Sequence, residues 1–241
     1  MSFVSFNNYK QKAEKSELSD TEISGRYDFQ LEDEKRIIPD VISKLNLQPI
    51  DNLLDIGCGP GTLLIPLSKV VKRVCGIDNE AVIQRIERKY KDDKNITTIS
   101  GNFLDIESHQ LELYSKIVIY SVVHYLSSQD ELFQFLLKAL KLLKPGGRML
   151  IADIPNLDKK ARFENTHYGK DEIKTWQKKV AKKPALVDEI VDQDLIKIDD
   201  DCYFSILKFA RVKGFESYLL PESENLPFGR TRDDILIIAH K

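Results

Sequence analysis

Leu53-Leu-Asp-Ile-Gly-Cys-Gly-Pro-Gly-Thr-Leu-Leu-Ile-Pro-Leu-Ser68 is the stretch on which the reading of the chain turns. Its opening run, Asn52 to Ile56, has the length and apolarity of a buried strand. Glycines follow at alternate positions, Gly57, Gly59 and Gly61, and the apolar-rich segment from Thr62 to Val71 reads as a helix. A strand, a glycine-rich turn and a helix form the first half of a βαβ unit that holds a nucleotide. The glycines admit positive φ and let a ligand lie against bare backbone, and a helix start offers unpaired N–H groups.

The spacing narrows the ligand. A dinucleotide fingerprint is Gly-x-Gly-x-x-Gly, whereas this turn is Gly-x-Gly-x-Gly with Thr62 where the third glycine would fall. Asp55 stands two residues before Gly57, where it would repel a pyrophosphate and attract an ammonium. Asp-Ile-Gly-Cys-Gly-Pro-Gly resembles motif I of the class I S-adenosylmethionine-dependent methyltransferases. The resemblance implies that Asp55, Gly57, Cys58 and Gly59 cradle the methionine part of that cofactor.

Further residues extend the resemblance. Arg73 to Ile77 reads as a second strand ending at Asp78, 17 residues beyond Gly61. The family places its ribose-binding acid there, so Asp78 is the expected ligand of the ribose hydroxyls. Asp78 or Asn79 could equally cap the helix that follows, Glu80 to Tyr90, and Asn79 stays among the cofactor-binding candidates. Strand three, Ile96 to Ser100, leads into Gly101-Asn102-Phe103. The family has an acid where Asn102 stands; an amide carbonyl still accepts from the adenine amino group. Phe103 could pack on the adenine face, and Asp105 is the fallback acceptor. Tyr27, just before a helical stretch from Glu32 to Leu45 that Pro39 should kink or split, is a cofactor candidate or a packing tyrosine.

Strand four, Lys116 to Tyr120, delivers Ser121-Val-Val-His-Tyr-Leu126 to the ligand end of an open α/β sheet, and Ser121 joins the cofactor candidates. The Pro-Pro-(Tyr/Phe) motif of enzymes that methylate bases or glutamine is absent, as are the paired glutamates of protein arginine methyltransferases. What remains resembles the small-molecule branch. His124, with an ordinary pKa near ~6.5, is the catalytic candidate as a general base toward a hydroxyl; the alternative is a histidine that packs at the mouth of the next helix. That helix opens with Ser128 and Glu131 as a capping box and stops at Pro145-Gly146-Gly147, before strand five, Arg148 to Asp153. Asp153 could face the substrate or start a loop.

Residues 155–200 exceed a simple connection and, with residues 1–30, are expected to cover the substrate side. The former carry a lysine-rich helix, Asp171 to Lys183, and an acidic stretch, Asp188 to Asp201; the latter a short helix around Asn8 to Glu17. At the end, Asp200 or Asp201 caps a helix through Val212, and strands Phe215 to Pro221 and Asp234 to Ala239 form a hairpin. The resemblance implies a single Rossmann-like domain over 1–241, a doubly wound sheet of order 3-2-1-4-5-7-6 with the last strand antiparallel and helices on both faces.

The totals agree with that expectation. The 241 residues are 42% hydrophobic and 31% charged with a formal net charge of −2, so bulk charge does not select a nucleic acid. The N-terminus lacks the basic and apolar regions of a signal peptide, and no apolar run is long enough to span a membrane. Three scattered cysteines and four separated histidines suggest neither a disulfide framework nor a metal site. The expectation is a cytoplasmic enzyme transferring methyl from S-adenosylmethionine to a small molecule, by in-line displacement at a hydroxyl oxygen, with S-adenosylhomocysteine as product. A cofactor-binding protein without turnover, a nicotinamide oxidoreductase, and a methyltransferase acting on nucleic acid or protein are the alternatives.

Overall fold

A computed structural model describes Glu14, residues 19–181 and residues 195–241. Most of the expected helix at Asn8 to Glu17, and the acidic stretch as far as 194, lie outside the described residues. Seven strands run in the order β3-β2-β1-β4-β5-β7-β6. They are β1 (Asn52–Ile56), β2 (Arg73–Asp78), β3 (Ile96–Ser100), β4 (Tyr114–Tyr120), β5 (Leu143–Pro155), β6 (Phe215–Pro221) and β7 (Arg232–Ala239). The first five pair in parallel, and β7 runs antiparallel to both β5 and β6. The expected sheet order is therefore found.

All five residues of β1 are buried, as a parallel strand covered on both faces requires. Because side chains alternate, β1 feeds two cores. Leu54 and Ile56 join Ile117, Ile119 and Ile151 on the face covered by α6 (Gln129–Lys141) and α9 (Asp200–Val212). Leu53 joins Val118 and Leu150 against α3 (Ile37–Leu45), α4 (Leu64–Leu67) and α5 (Glu80–Tyr90). On α6 the buried stripe is Leu132, Phe135, Leu136, Ala139 and Leu140. Burying each of its large side chains contributes about 1.5–3 kcal/mol before conformational entropy is charged against it.

Two prolines set helix starts in the same way. The stretch from Glu32 to Leu45 is split into α2 (Leu31–Glu34) and α3, with Lys35 and Arg36 between them. Pro39 is the third residue of α3; its ring cannot tolerate a helical carbonyl four residues back, at Lys35, and it has no N–H to offer there. Pro66 is likewise the third residue of α4, which holds four residues rather than the ten expected from Thr62 to Val71. Past Leu67, i−3 bonds (Lys69 N–H to Pro66 O, Val70 N–H to Leu67 O) tighten the chain and end the helix.

Other boundaries also move. The first half of the α6 capping box forms, with Ser128 Oγ accepting from the Glu131 N–H at 3.1 Å, but the Glu131 carboxylate returns to Ser127 instead of Ser128. Strand β5 begins at Leu143, before the Pro-Gly-Gly, because Leu143 pairs with Tyr114 ahead of a register shift. Asp199, rather than Asp200 or Asp201, caps α9 by accepting from the Cys202 N–H. In the long connection, the expected lysine-rich helix is α8 (His167–Val180), and α7 (Leu157–Glu164) precedes it unanticipated, capped by Asn156. The α1 turn (Asp20–Ile23) carries a complete Ser19–Glu22 capping box.

Candidate functional site

The turn after β1 folds back on β2. Gly57 and Cys58 both donate their N–H to Ile77 O, at 2.8 and 3.1 Å. Gly57 (φ +80°) needs its hydrogen for a second reason, since a Cβ there would meet Val122 Cγ2 at 2.4 Å. The Cys58 thiol points at Gly76 in the core, and burial pushes it up, so what it offers a ligand is backbone.

Two buried carboxyl groups stand at this corner. Asp78 Oδ2 accepts from the Gly59 N–H at 2.8 Å, and Oδ1 accepts from the N–H and Nδ2 of Asn79. Asn79 Oδ1 accepts from the Val82 N–H and thereby caps α5. The alternative left open by the sequence resolves into two jobs: Asn79 caps, and Asp78 braces the glycine turn. Burial lifts Asp78 to about 6 against those hydrogen bonds. Asp55 is 1% exposed, its Oδ2 has no partner among the described residues, and burial with the nearby Asp78 charge lifts it to about 8.

Both acids open onto one cavity of about 260 Å³. Its floor holds Asp55, Gly57, Gly59, Asp78 and Ser121, and its cover comes from the N-terminal segment through Ser24, Arg26 and Glu34. A narrow extension of about 20 Å³ shares Gly57, Asp78 and Val122 with it and is walled by Asn102 and Phe103. Phe103 is fixed edge-on to Phe135, with centroids 4.9 Å apart. Tyr27 does not line the cavity. Its ring stacks on Phe29 at 5.1 Å and meets Trp176 of α8 edge-on at 5.7 Å.

Beside this cavity lies a buried polar cluster that sequence reasoning saw only through Asp153 and His124. Asp153, left-handed at φ +56° and 1% exposed, is gripped from two sides. Arg26 Nη2 reaches Oδ2 at 3.3 Å, and Arg232 Nη1 reaches Oδ1 at 2.8 Å. The Asp153 N–H donates to Asp234, which in turn pairs with Lys44 at 2.7 Å. The Tyr120 hydroxyl and both Glu222 carboxyl oxygens are buried without partners among the described residues. Burial and the Asp153 and Asp234 charges push Glu222 up to about 9, so it is protonated at neutral pH. His124 belongs here: its buried Nδ1 has no partner among the described residues, and burial, aided by Arg232, holds the imidazole down at about 3. A signal for this cluster was present in Asp233-Asp234 opening an apolar strand, where two acids have no place unless paired.

A second cavity of about 470 Å³ lies between α7, α8 and the connection into β7, with Phe163, Trp176, Phe228, Arg230 and Arg232 in its wall. Arg26 of the first cavity and Arg232 of the second hold opposite oxygens of one carboxylate, so their walls are tied together through the buried Asp153. Their covers also meet, through Tyr27 and Phe29 against Trp176. Together the arrangement offers a buried carboxyl group whose Oδ2 has no partner among the described residues and which a cation would ionise, a braced carboxylate for a diol, and a narrow slot beside an aromatic ring. Among the described residues no cluster of histidines, cysteines or acids has the makeup of a metal site.

A family model described as a methyltransferase domain matches residues 48–202, more than half the chain. The N-methyltransferase NodS from Bradyrhizobium japonicum WM9, solved with S-adenosyl-L-homocysteine, superposes with a TM-score of 0.62 at 15% identity, covering 99% of this chain and 100% of that one. Phosphoethanolamine N-methyltransferase 1 from Haemonchus contortus gives a TM-score of 0.71 at 16% identity, over 100% of this chain and 50% of the other. Identities this low establish the fold. In sequence, an uncharacterized 37.1 kDa protein in transposon TN4556 of Streptomyces fradiae is 31% identical over 116 residues, 47% of this chain and 33% of its own length. The matched stretches span a third or less of the first such curated relatives.

Proposed function

Because the chain belongs to the methyltransferase domain family, we propose that it transfers the methyl group of S-adenosylmethionine to a small-molecule acceptor, in line and at a hydroxyl oxygen. The observation that carries the reading is Asp55. A buried carboxylate with a vacant oxygen, at the floor of a cavity that also holds Asp78, is costly without a ligand and suits a primary ammonium.

When bound, S-adenosylmethionine supplies a methyl carbon on a sulfonium, whose bonding pair stays with sulfur as a thioether once the acceptor takes the carbon. The residues divide the rest. Asp55 holds the amino-acid ammonium, and the backbone of Gly57, Cys58 and Gly59 lies against the same end. Asp78 Oδ2, which accepts one hydrogen bond, keeps a lone pair for a ribose hydroxyl, whereas Oδ1 already accepts two from Asn79; Asn102 and Phe103 receive the adenine edge and face. Ser121, at φ +60° after β4, marks the boundary with the acceptor side. His124 is neutral at physiological pH and its Nδ1 has no partner among the described residues, so it can accept a hydrogen bond from the acceptor hydroxyl, although burial makes its imidazole a weak base. Alignment of two bound reactants would supply most of the acceleration, about 7–11 kcal/mol when attack geometry is good.

The domain is read as one unit, 1–241, with the N-terminal segment and the connection carrying α7 and α8 as covers. No described helix is long and apolar enough to cross a membrane. The three free, buried thiols suit a reducing compartment, and we assign the protein to the cytoplasm. The test is calorimetric binding of S-adenosylmethionine and S-adenosylhomocysteine to wild type and Asp78→Ala, followed by an acceptor screen with labelled methyl. Wild-type binding that weakens in the variant, with acceptor-dependent label transfer, supports the reading. Binding without transfer to any acceptor would favour a cofactor-binding protein without turnover, and no binding to folded protein overturns both.

A further inference from the structure

We infer that the chamber of about 470 Å³ is the acceptor site, and that its wall selects a neutral, planar aromatic compound carrying a hydroxyl; the inference rests on the methyl-transfer reading. The volume lies in the range of small-ligand pockets, about 300–1,000 Å³.

Three rings from three different segments converge on the chamber: Phe163 of α7, Trp176 of α8 and Phe228 of the connection into β7. Trp176 and Phe228 meet edge-on with centroids 5.7 Å apart, leaving a corner of aromatic faces and edges. Such a corner favours another ring, because offset and edge-to-face contacts add about 0.5–1.5 kcal/mol beyond area burial.

Charge decides against the other small acceptors. Every cation in the wall already has an acid. Arg230 pairs with Glu172 at 3.1 Å and Glu224 at 3.5 Å, Arg232 with Asp153 at 2.8 Å, and Lys160 with Glu164 at 3.7 Å. Both arginines also lie over rings, Arg230 over Tyr168 at 4.4 Å and Arg232 over Phe228 at 4.1 Å. A phosphate or carboxylate would have to break these pairs and strand an acid for each arginine taken. A free cation would meet the same guanidinium groups. A neutral ring leaves the pairs intact and uses the stacking faces.

The two chambers adjoin: Arg232 in this wall and Arg26 in the wall of the first chamber hold opposite oxygens of Asp153, so an acceptor beside Arg232 reaches the methyl group only when that Arg26–Asp153–Arg232 bridge gives way.

Trp176 is the one tryptophan of the chain, which makes it a reporter of this chamber. The experiment is titration of the S-adenosylhomocysteine-loaded protein with 2-naphthol and, separately, with phosphoethanolamine, read by calorimetry and by Trp176 emission. The expected result is 2-naphthol binding with a shift or quench of Trp176 emission, and no heat from phosphoethanolamine. Phe228→Ala should weaken 2-naphthol at least tenfold while S-adenosylhomocysteine affinity stays within twofold of wild type. Phe163→Ala serves the same purpose should Phe228→Ala fail to fold. Tighter binding of phosphoethanolamine than of 2-naphthol, silent Trp176 emission, or unchanged 2-naphthol affinity in the folded variants overturns the inference. Because S-adenosylhomocysteine binding is measured first, its failure would strike the methyl-transfer reading instead.

Discussion

The Gly59 N–H donates to the Asp78 carboxylate at 2.8 Å, so the glycine turn and the end of β2 form one rigid unit. Removing the carboxylate therefore loosens the turn as well as deleting a ribose ligand. A hydrogen bond to a charged group contributes about 1.5–3 kcal/mol. Asp78→Ala should weaken S-adenosylhomocysteine by about 10–150-fold in calorimetry, with Asp78→Asn in between. Equal affinity in all three proteins would remove Asp78 from the site.

Asp55 makes cofactor binding depend on pH. Its carboxyl titrates at about 8 in the ligand-free protein, above the ordinary ~3.9. The folded state therefore holds a proton that the unfolded state has lost, and stability contributed by that proton is full below about 4 and is lost as pH rises toward 8. Asp55→Asn should melt higher than wild type at pH 8 without ligand. Binding an ammonium needs the ionised form, so wild-type affinity for S-adenosylhomocysteine should rise between pH 6 and 8, and the variant should show a flat profile. A flat wild-type profile would refute this linkage.

Gly57 and Gly59 share a turn but not a penalty. Alanine at Gly59 (φ +53°) meets only Ser24 Oγ, at 3.8 Å, and carries the left-handed cost of about 1–2 kcal/mol. Alanine at Gly57 (φ +80°) adds the collision with Val122, worth about 1–3 kcal/mol more. Urea midpoints should rank wild type, Gly59→Ala, then Gly57→Ala, and Val122→Ala should recover part of the second loss.

Breaking the grip on Asp153 should be expensive. Arg232→Ala leaves a buried carboxylate with one remaining guanidinium, and removing one partner of a buried pair costs about 3–5 kcal/mol. Denaturant unfolding measures this directly. Arg232→Ala together with Asp153→Ala should cost less than the two separate losses added, since the stranded charge is gone.

His124 predicts a missing limb. With its imidazole at about 3, it stays neutral from pH 5 to 9, so the pH profile of kcat/KM should show no histidine-type inflection there. His124→Asn should lower kcat for a hydroxyl acceptor by less than the ~10²–10⁴-fold of a well-matched base and leave S-adenosylhomocysteine affinity unchanged. A full-rate variant would make His124 a packing residue.

What could be read from the chain divides along physical lines. β1 and β2 were legible because burial on two faces leaves short, apolar, turn-bounded runs, whereas the sheet order came with the family resemblance, since the edge strand β3 is only partly buried. Pro39 split the expected helix as anticipated, but the helix at Thr62–Val71 proved shorter than expected because Pro66 excludes the carbonyl four residues back. Asp55 and Asp78 were legible through the glycine turn they flank. Arg26, Arg232 and Glu222 were not: each is an ordinary charged residue in sequence, and only folding joins positions as distant as 26 and 232 around Asp153. Tyr27 was legible as an aromatic near the site, but its partner, Trp176, lies in the long connection, where sequence offers no register.

Three rings, Tyr27 and Phe29 from the N-terminal segment and Trp176 from α8, form one aromatic joint between the two covers. On the proposed reading, lifting either cover parts these same contacts, so release of S-adenosylhomocysteine and of the methylated product is expected to be coupled.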